Sequence, residues 1–333
     1  AAGGLCHSDD HIRNGFMSPP GAPTTRPPTI GGHEGSGVVV EVGPCVTGLA
    51  PGDHVVTSFV AVCGHCRWCA SGMEYLCDKG AGVLTPGMPT DGTFRHHTLD
   101  GDDVGHTSKI GAFAEHTVVA ADSLVKIDQD IPLVPPAALL ACAIPTGYGS
   151  AVHRGNVRGG DTVVVVGAGG IGTAAIQGAR INGGATTIVA VDPLDTKRKS
   201  ACDFGATHTA ASAADTKDLV RELTRGVMAD CVVVAPSDIT GDDVRDALAL
   251  TRKGGTCVLT GMAPPAGALP VHLDIQDLVL MNKTLCGTVF GSCNPRSEIP
   301  LLAGMYTAGQ LRLDEMITER YRSMTSTPRS TTC

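Results

Sequence analysis

The sequence predicts an α/β protein in which a β-rich domain precedes a doubly wound parallel sheet. Two observations support this fold class. From residue 161 onward, β-branched runs alternate with helix-like segments, the pattern of parallel strands joined by crossover helices. Before residue 145, short apolar runs such as GVVVEVG (37–43) and FAEHTVVA (113–120) lie between turns rich in glycine and proline. The chain therefore divides near residues 145–155.

The second part of the chain opens on DTVVVVG (161–167), a continuous apolar run. Such a run is typical of a parallel strand that is buried on both faces. The elements predicted after it are helix 171–183, strand 186–192, helix 195–205, helix 214–225, strand 229–236, helix 242–253 and strand 256–261. Earlier in the chain, the prolines of SPPGAPTTRPP (18–28) predict a loop.

Composition limits the function classes. The chain has 333 residues, of which 42% are hydrophobic and 17% charged, so it can bury the cores of two domains. Its formal charge of −8 argues against a nucleic-acid partner, because phosphate binding requires a basic surface. No apolar run approaches the roughly 18 residues of a membrane span. We expect a cytoplasmic protein with no membrane partner.

A glycine-rich turn, GAGGIG (167–172), closes the first predicted strand and opens the first helix. In this context G-x-G-x-x-G is the dinucleotide-binding fingerprint of the Rossmann fold, with the pyrophosphate at the helix N-terminus. Asp192 ends the next strand and is expected to accept hydrogen bonds from the adenosine ribose, which favours NAD over NADP. Lys197 could also reach the ribose, and the other charges of DTKRK (195–199) are expected on a solvated helix face. The candidate cofactor-binding residues here are Gly167, Gly169, Gly170, Ile171, Gly172, Asp192 and Lys197.

Four cysteines lie close together in CGHCRWCASGMEYLC (63–77). Four thiolates can close a tetrahedron around Zn²⁺ and leave no open position, which indicates a structural site. An iron–sulfur cluster also takes four thiolates and is the alternative. Disulfides are disfavoured in a cytosolic chain of this size. The candidate ligands are Cys63, Cys66, Cys69 and Cys77.

A second set of metal-binding residue types is dispersed along the chain. Cys6 lies in CHSDDH, His33 in GGHEGSG and Cys142 in LLACAIPTGYGS. Their spacing alone does not unite them. Three protein ligands plus a water are nonetheless the composition of a catalytic zinc site.

The order of these motifs resembles that of the zinc-dependent medium-chain alcohol dehydrogenases. The resemblance is carried by CHSDDH, GGHEGSGVVVEVG, PGDHV, the four-cysteine lobe, PTGYGSAV, GAGGIG and VAVDP. Within that family, CGHCRWCASG, CDKG, DGTFR and GDDVG are similar to bacterial enzymes that retain NAD(H), the nicotinoproteins. The resemblance implies a GroES-like catalytic domain with the zinc lobe over 1–150, a Rossmann domain over 151–290 and, over 291–333, the start of a return to the catalytic domain.

The family pattern implies roles for individual residues. Cys6, His33 and Cys142 would ligate a catalytic zinc, in addition to the structural zinc of the lobe. Asp9 would hydrogen-bond His33, and Glu34 would lie behind the metal. Further positions match a proton relay (Ser8 and His11), a pyrophosphate contact (His7) and a nicotinamide contact (Thr146).

The implied reaction is hydride transfer between a primary alcohol or aldehyde and NAD, with the proton leaving through Ser8 and the ribose to His11. A thiol-dependent formaldehyde dehydrogenase shares these motifs and stays open, as does a catalytically silent dinucleotide-binding relative. The resemblance also implies a homo-oligomer joined through the Rossmann domain.

Other features carry weaker expectations. His96, His97 and His106 lie in an acidic, glycine-rich stretch and are expected to be solvated. The chain begins and ends differently from the family pattern, and its tail RSMTSTPRSTTC has no periodicity. We expect truncated or altered ends, and a chain less stable and less active than full-length relatives.

Overall fold

The computed structural model describes residues 1–15, 28–85, 87–262 and 270–322. Nearly all of the loop predicted at 18–28, and the tail after residue 322, lie outside the described residues. The chain forms two compact units, one from Ala1–Cys142 and Asn294–Cys333 and the other from Ala143–Cys293. No helix in the described part of the chain combines the length and apolarity that a membrane crossing requires.

Up to Cys142, the first unit contains short strands and a few short helices. Its elements before the second unit begins are β1 (Ala2–Gly4), α1 (His7–Arg13), β2 (Thr29–Ile30), β3 (Glu34–Val38), β4 (His54–Thr57), α2 (Arg67–Ala70), β5 (His96–His97), β6 (Asp103–His106), β7 (Leu124–Lys126) and α3 (Pro135–Leu139). The strands β1, β3, β4 and β7 form an antiparallel sheet in that order. A smaller mixed sheet has the order β2-β6-β5, in which β2 and β6 are parallel and β6 and β5 antiparallel.

The second unit alternates strands and helices. Its elements are α4 (Ala143–Gly149), β8 (Thr162–Val166), α5 (Gly170–Ile181), β9 (Thr187–Val191), α6 (Asp195–Asp203), β10 (His208–Ala210), α7 (Ala213–Leu223), β11 (Ala229–Val234), α8 (Gly241–Leu250), β12 (Thr251–Leu259), α9 (Ile275–Leu280) and β13 (Thr284–Gly287). The chain then returns to the first unit with α10 (Pro295–Thr307).

The second unit is built on one six-stranded parallel sheet in the order β10-β9-β8-β11-β12-β13. Numbered within the sheet, this is the order 3-2-1-4-5-6 of a dinucleotide-binding fold, which reverses direction between β8 and β11. Val163, Val164 and Val165 of β8 are fully buried, as expected for a strand covered on both faces. The predicted fold class is confirmed.

Three predictions about secondary structure are wrong. FAEHTVVA (113–120) forms no strand: none of its residues is fully buried, and Val118 is half exposed, so its apolar residues do not form one buried face of a sheet. Only the first two residues of GVVVEVG (37–43) belong to β3, and Val40 beyond them is exposed. The helix predicted over 242–253 ends at Leu250, where Thr251 turns extended and begins β12.

The expectation that His106 is solvated is also wrong. His106 is buried at the end of β6, and its Nε2 lies 2.7 Å from Nδ1 of His96. Burial, together with the charge of His96, lowers the pKa of His106 to about 4. The hairpin of β5 and β6 is joined to β2, where Ile30 pairs with His106 three residues before His33.

Candidate active site and metal centres

The four-cysteine lobe has the geometry of a tetrahedral thiolate site. The four Sγ atoms all lie within 4.8 Å of one another. Cys66 Sγ is 3.6 Å from Cys69 Sγ and 3.9 Å from Cys77 Sγ. A tetrahedron with metal–sulfur bonds of about 2.3 Å has edges of about 3.8 Å, so these separations fit a zinc ion. They are far longer than a disulfide bond, and every cysteine in the described residues is free.

Backbone amides point at the sulfur atoms of the lobe. The N–H of Cys63 donates to Cys77 Sγ at 3.2 Å, and the N–H of Cys66 donates to Cys63 Sγ at 3.3 Å. Hydrogen bonds from the backbone, that of Cys69 first among them, lower the pKa of Cys66 to about 6. These donors favour the thiolate, the form that binds metal.

The lobe is fastened to the start of α10. Asn294 Oδ1 accepts a hydrogen bond from the N–H of Glu74 at 2.8 Å, and its Nδ2 donates to the carbonyl of Gly72 at 2.9 Å. Arg296 donates to the carbonyl of Val62. Two backbone positions just before the fourth cysteine are thereby held by one side chain.

The dispersed residues also converge. One ligand atom from each of Cys6, His33, Glu34 and Cys142 lies within 4.8 Å of the others. His33, Glu34 and Cys142 are buried, and Cys6 is half-buried. All four belong to the first unit. The structure therefore unites residues that spacing along the chain does not.

Each of these residues stands at the end of a secondary-structure element. Cys6 is the N-cap of α1, His33 immediately precedes β3, which Glu34 begins, and Cys142 lies between α3 and α4. Because β1 pairs with β3, with Gly4 opposite Glu34, the segments before α1 and β3 lie side by side. Sheet pairing thus places Cys6 next to His33.

Asp9 organises this cluster. Its Oδ1 is 3.0 Å from Nδ1 of His33 and also accepts from the N–H of Gly32 at 3.2 Å. Its Oδ2 accepts from the N–H of Cys6 at 3.3 Å, which closes the first turn of α1. A carboxylate at Nδ1 makes that nitrogen the donor and leaves Nε2 with a lone pair for a metal.

The charges of the cluster match a metal site. A hydrogen bond from Cys142 lowers the pKa of Cys6 well below its ordinary value, against the opposing effect of burial. Burial, the largest single influence on His33, disfavours its protonation, but the hydrogen bonds and negative charges of Asp9 and Cys6 together outweigh burial and raise the pKa of that ring. The buried cluster therefore holds thiolate character beside a donor set that would bind zinc.

Gly4 is a position beside this cluster that the sequence analysis did not single out. A Cβ at Gly4 would lie 2.1 Å from a carboxylate oxygen of the buried Glu34, so a side chain there would displace that carboxylate. The signal was present as the pair of glycines just before CHSDDH.

The remaining candidates of the first unit lie on α1. His7 begins the helix, and its ring meets that of His11 edge-on with centroids 4.6 Å apart. His11 is buried, and Ser8 is half-buried one turn before it. Ser8 and His11 are three residues apart on one helix and therefore lie on the same side of it.

The glycine-rich turn of the second unit has the expected shape. Gly167 has φ of 88°, a conformation that favours glycine, and a Cβ at Gly172 would lie 1.8 Å from the Gly167 carbonyl oxygen. A Cβ at Gly169 would meet open space, which leaves the turn accessible from that side. Gly170 and Ile171 begin α5, a helix of 12 residues whose first amides are available to an anion.

Asp192 is buried directly after β9. Its Oδ2 accepts from the N–H of Ala168 at 3.0 Å, and its Oδ1 accepts from the N–H of Leu194 at 2.9 Å. Lys197 is half-buried on α6. The expectation that the rest of DTKRK is solvated is wrong for Arg198, whose side chain is only 19% exposed because it folds back onto the loop after β9.

Thr146 lies on α4 and is buried. Its Oγ1 has no hydrogen-bond partner in the described part of the chain. A buried hydroxyl of this kind is usually satisfied, so it is available to a ligand.

Comparison with known proteins identifies the family to which this fold and site belong. The family model for the alcohol dehydrogenase GroES-like domain matches residues 1–129, and the model for zinc-binding dehydrogenases matches residues 170–307. Putative alcohol dehydrogenase D of Mycobacterium tuberculosis is 48% identical over 320 residues, which cover 96% of this chain and 84% of the relative. The chain belongs to the zinc-dependent alcohol dehydrogenase family.

Other alcohol dehydrogenases of the family give finer comparisons. The NDMA-dependent alcohol dehydrogenase of Amycolatopsis methanolica is 47% identical, covering 96% of this chain and 83% of the relative. The S-(hydroxymethyl)glutathione dehydrogenase of Saccharomyces cerevisiae is more distant, at 35% identity over 95% of this chain and 80% of the relative. Among solved structures, a zinc-binding-domain alcohol dehydrogenase from Burkholderia ambifaria has a TM-score of 0.86 at 31% identity, covering 97% of this chain and 84% of the other.

Membership of the alcohol dehydrogenase family explains the chemistry of both units. The family is zinc-binding and uses NAD(H), and the relatives similar to this chain include an NDMA-dependent alcohol dehydrogenase. The resemblance identified from the sequence motifs is therefore confirmed.

Proposed function

We propose that this alcohol dehydrogenase interconverts primary alcohols and aldehydes with NAD, and that each chain holds two zinc ions with separate tasks. The observation that carries the proposal is the convergence of Cys6, His33 and Cys142, whose ligand atoms lie within 4.8 Å of one another. Three ligands leave a fourth position for substrate, whereas the lobe supplies all four of its own.

The ligand atoms of the lobe and those of the dispersed cluster each fit a zinc ion. The sulfur separations of the lobe match zinc, and the contact of Asp9 with Nδ1 of His33 leaves Nε2 of that ring for the catalytic zinc. When bound, the catalytic zinc would supply a Lewis acid and the nicotinamide a hydride acceptor, the two components that alcohol oxidation requires. We assign the cofactor to Gly167–Gly172, Asp192, Lys197 and Thr146 in the second unit.

The chain's own residues would manage the proton and the substrate. Ser8 and His11, one turn apart on α1, would accept the alcohol's proton and pass it on, because a hydroxyl and an imidazole can each both accept and donate a proton. Glu34, buried against the same cluster, would keep a carboxylate behind the ligands. His33 and its partner Asp9 would hold the ligand geometry while substrate exchanges.

We infer from the similarity to the NDMA-dependent relative that this chain retains its NAD and accepts NDMA as the external oxidant. The test is a steady-state assay of aldehyde formation from a series of primary alcohols, with NDMA or with added NAD. Turnover with NDMA but not with added NAD alone supports retention, and turnover with added NAD alone contradicts it.

The same assay separates the alternatives. A thiol-dependent formaldehyde dehydrogenase would oxidise formaldehyde only with added thiol and would leave simple alcohols untouched. A catalytically silent relative would bind NAD and turn over none of these substrates. Alcohol oxidation without a thiol supports the proposal.

We also propose a homo-oligomer joined through the second unit. Two features support it: β13 is the last strand in the sheet order, and Val279 and Leu280 of the neighbouring α9 are exposed. Paired sheet edges and covered apolar side chains are common at subunit interfaces. Light scattering that gives the mass of a single chain would contradict this.

A further inference from the structure

The guanidinium of Arg198 is bound to the loop that carries Asp192. Its Nη1 donates to the carbonyls of Asp192 at 2.7 Å and Pro193 at 2.8 Å, and its Nη2 lies 3.2 Å from Asp195 Oδ1. The side chain is only 19% exposed, although it comes from the middle of a charged helix segment. The guanidinium of Arg198 is therefore shared by three oxygen atoms within residues 192–195, between the end of β9 and the start of α6.

One of these carbonyls belongs to the peptide group that holds the Asp192 carboxylate. The carbonyl of Pro193 accepts from Arg198, and the N–H of Leu194, in the same peptide plane, donates to Asp192 Oδ1 at 2.9 Å. A peptide plane is rigid, so the bond at one end sets the direction of the bond at the other. Arg198 thereby orients the donor that fixes Asp192.

Arg198 also places a positive charge one peptide group away from the carboxylate. Asp192 is the residue expected to bind the ribose hydroxyls of NAD and to repel the 2′-phosphate of NADP. Arginine is the side chain that best binds phosphate, and in related folds a nearby arginine accommodates that phosphate. In this chain the guanidinium of Arg198 is instead bound by the Asp195 carboxylate and by the backbone carbonyls of Asp192 and Pro193.

We propose that Arg198 is a positioning residue for cofactor choice: it holds the Asp192 carboxylate toward the ribose, and it would bind a 2′-phosphate if the charge of Asp192 were removed. The proposal rests on the NAD site of the proposed function. It assigns NAD selectivity to the pair of Asp192 and Arg198 and not to Asp192 alone.

The neighbouring Lys199 provides a matched control. It also contacts Asp195, at 2.7 Å, but its side chain is 78% exposed and it donates to neither loop carbonyl. Arg198→Met and Lys199→Met each remove one positive charge from the same helix. Only the first removes the orientation of the Pro193–Leu194 peptide.

The test measures dissociation constants of NADH and NADPH by nicotinamide fluorescence, on protein freed of bound nucleotide. Arg198→Met should weaken NADH binding roughly tenfold, the size expected for hydrogen bonds to a charged group, whereas Lys199→Met should leave it unchanged. Asp192→Asn should strengthen NADPH binding at least about tenfold by removing the repulsion, and the double variant Asp192→Asn with Arg198→Met should lose that gain.

Two results would overturn the proposal: NADH binding by Arg198→Met equal to that of Lys199→Met, or a double variant that binds NADPH as tightly as Asp192→Asn. Should Arg198→Met fail to fold, Arg198→Gln keeps hydrogen-bond donors without the charge. In the Asp192→Asn background it should still abolish the NADPH gain, and persistence of the gain would overturn the proposal. Wild-type protein that binds neither nucleotide would instead contradict the proposed function.

Discussion

The two cysteine-containing centres of the first unit are built in opposite ways. The lobe draws four thiolates from residues 63–77, and backbone amides at 3.2 and 3.3 Å point at its sulfur atoms. The other cluster draws Cys6, His33 and Cys142 from three distant segments and is organised by the side chain of Asp9. A local site is closed by its own loop, whereas a dispersed site exists only once the sheet and helices around it have formed.

Because of this difference, we expect loss of a ligand to have different effects in the two centres. The lobe has no free position for substrate, so losing it should cost stability first. The dispersed cluster has three ligands and an open position, so losing one of them should cost activity first.

The largest effect is expected for Cys142→Ala. Loss of one of three ligands should lower kcat by about a thousand-fold or more, since a metal contributes several kcal/mol to such a reaction. The measurement is the alcohol assay, with circular dichroism to check folding. Cys202→Ala, which changes an exposed cysteine on α6, is the control and should retain full activity. Full activity of Cys142→Ala would remove this residue from the site.

A smaller loss of activity is expected for Asp9→Asn. The change removes the charge that orients His33, and such partners of metal-binding histidines typically contribute about 10- to 100-fold. The control is Asp10→Asn, the next residue on α1, which contacts Arg13 and Asn14 at the surface. Equal kcat values for the two variants would show that Asp9 does not support the cluster.

On the side of the lobe, Asn294→Ala should reduce stability without reducing kcat. It removes the two hydrogen bonds that fasten Gly72 and Glu74 to α10, at a cost of about 1–2 kcal/mol. The measurement is the free energy of unfolding from a denaturant titration. Asn182→Ala, at an exposed helix end, is the control. A change in kcat with stability intact would contradict the division of tasks.

The prediction furthest from the reaction concerns stability against pH and the hairpin that leads to His33. The pKa of His106 is lowered by burial and by His96 to about 4 in the folded protein, below its ordinary 6.5, so protonation favours unfolding. The contribution to stability should be complete above pH 6.5 and decline as the pH falls toward 4. Thermal melts at several pH values should show this decline, and His106→Gln should flatten it. If the melting temperatures of the wild type and of His106→Gln fell equally with pH, burial of His106 beside His96 would not explain the decline.

The same contrast between local and dispersed features separates what the sequence predicted from what it did not. The parallel sheet, the glycine-rich turn and the lobe were predictable because each is written in a contiguous segment. The union of Cys6 with Cys142 came only from family resemblance, since no local pattern encodes a contact between distant segments. Gly4 and Arg198 were missed because their roles depend on Glu34 and on the Pro193–Leu194 peptide, which only the folded chain brings to them.

The strand predicted at 113–120 failed for a related reason. Its apolar residues match the pattern of a strand, but a strand is stabilised by burying one face, and no residue of this segment is fully buried. His106 is the converse, a polar residue in a polar stretch that packing nevertheless buries.

The most direct test of two separate centres is the zinc content per chain of three proteins, measured by mass spectrometry alongside kcat and melting temperature. We predict two zinc ions in the wild type and one in each of Cys142→Ala and Cys66→Ala. Cys142→Ala should keep its melting temperature and lose its activity, whereas Cys66→Ala should melt at a lower temperature. A wild type with one zinc, or a Cys142→Ala variant that keeps two, would contradict the account.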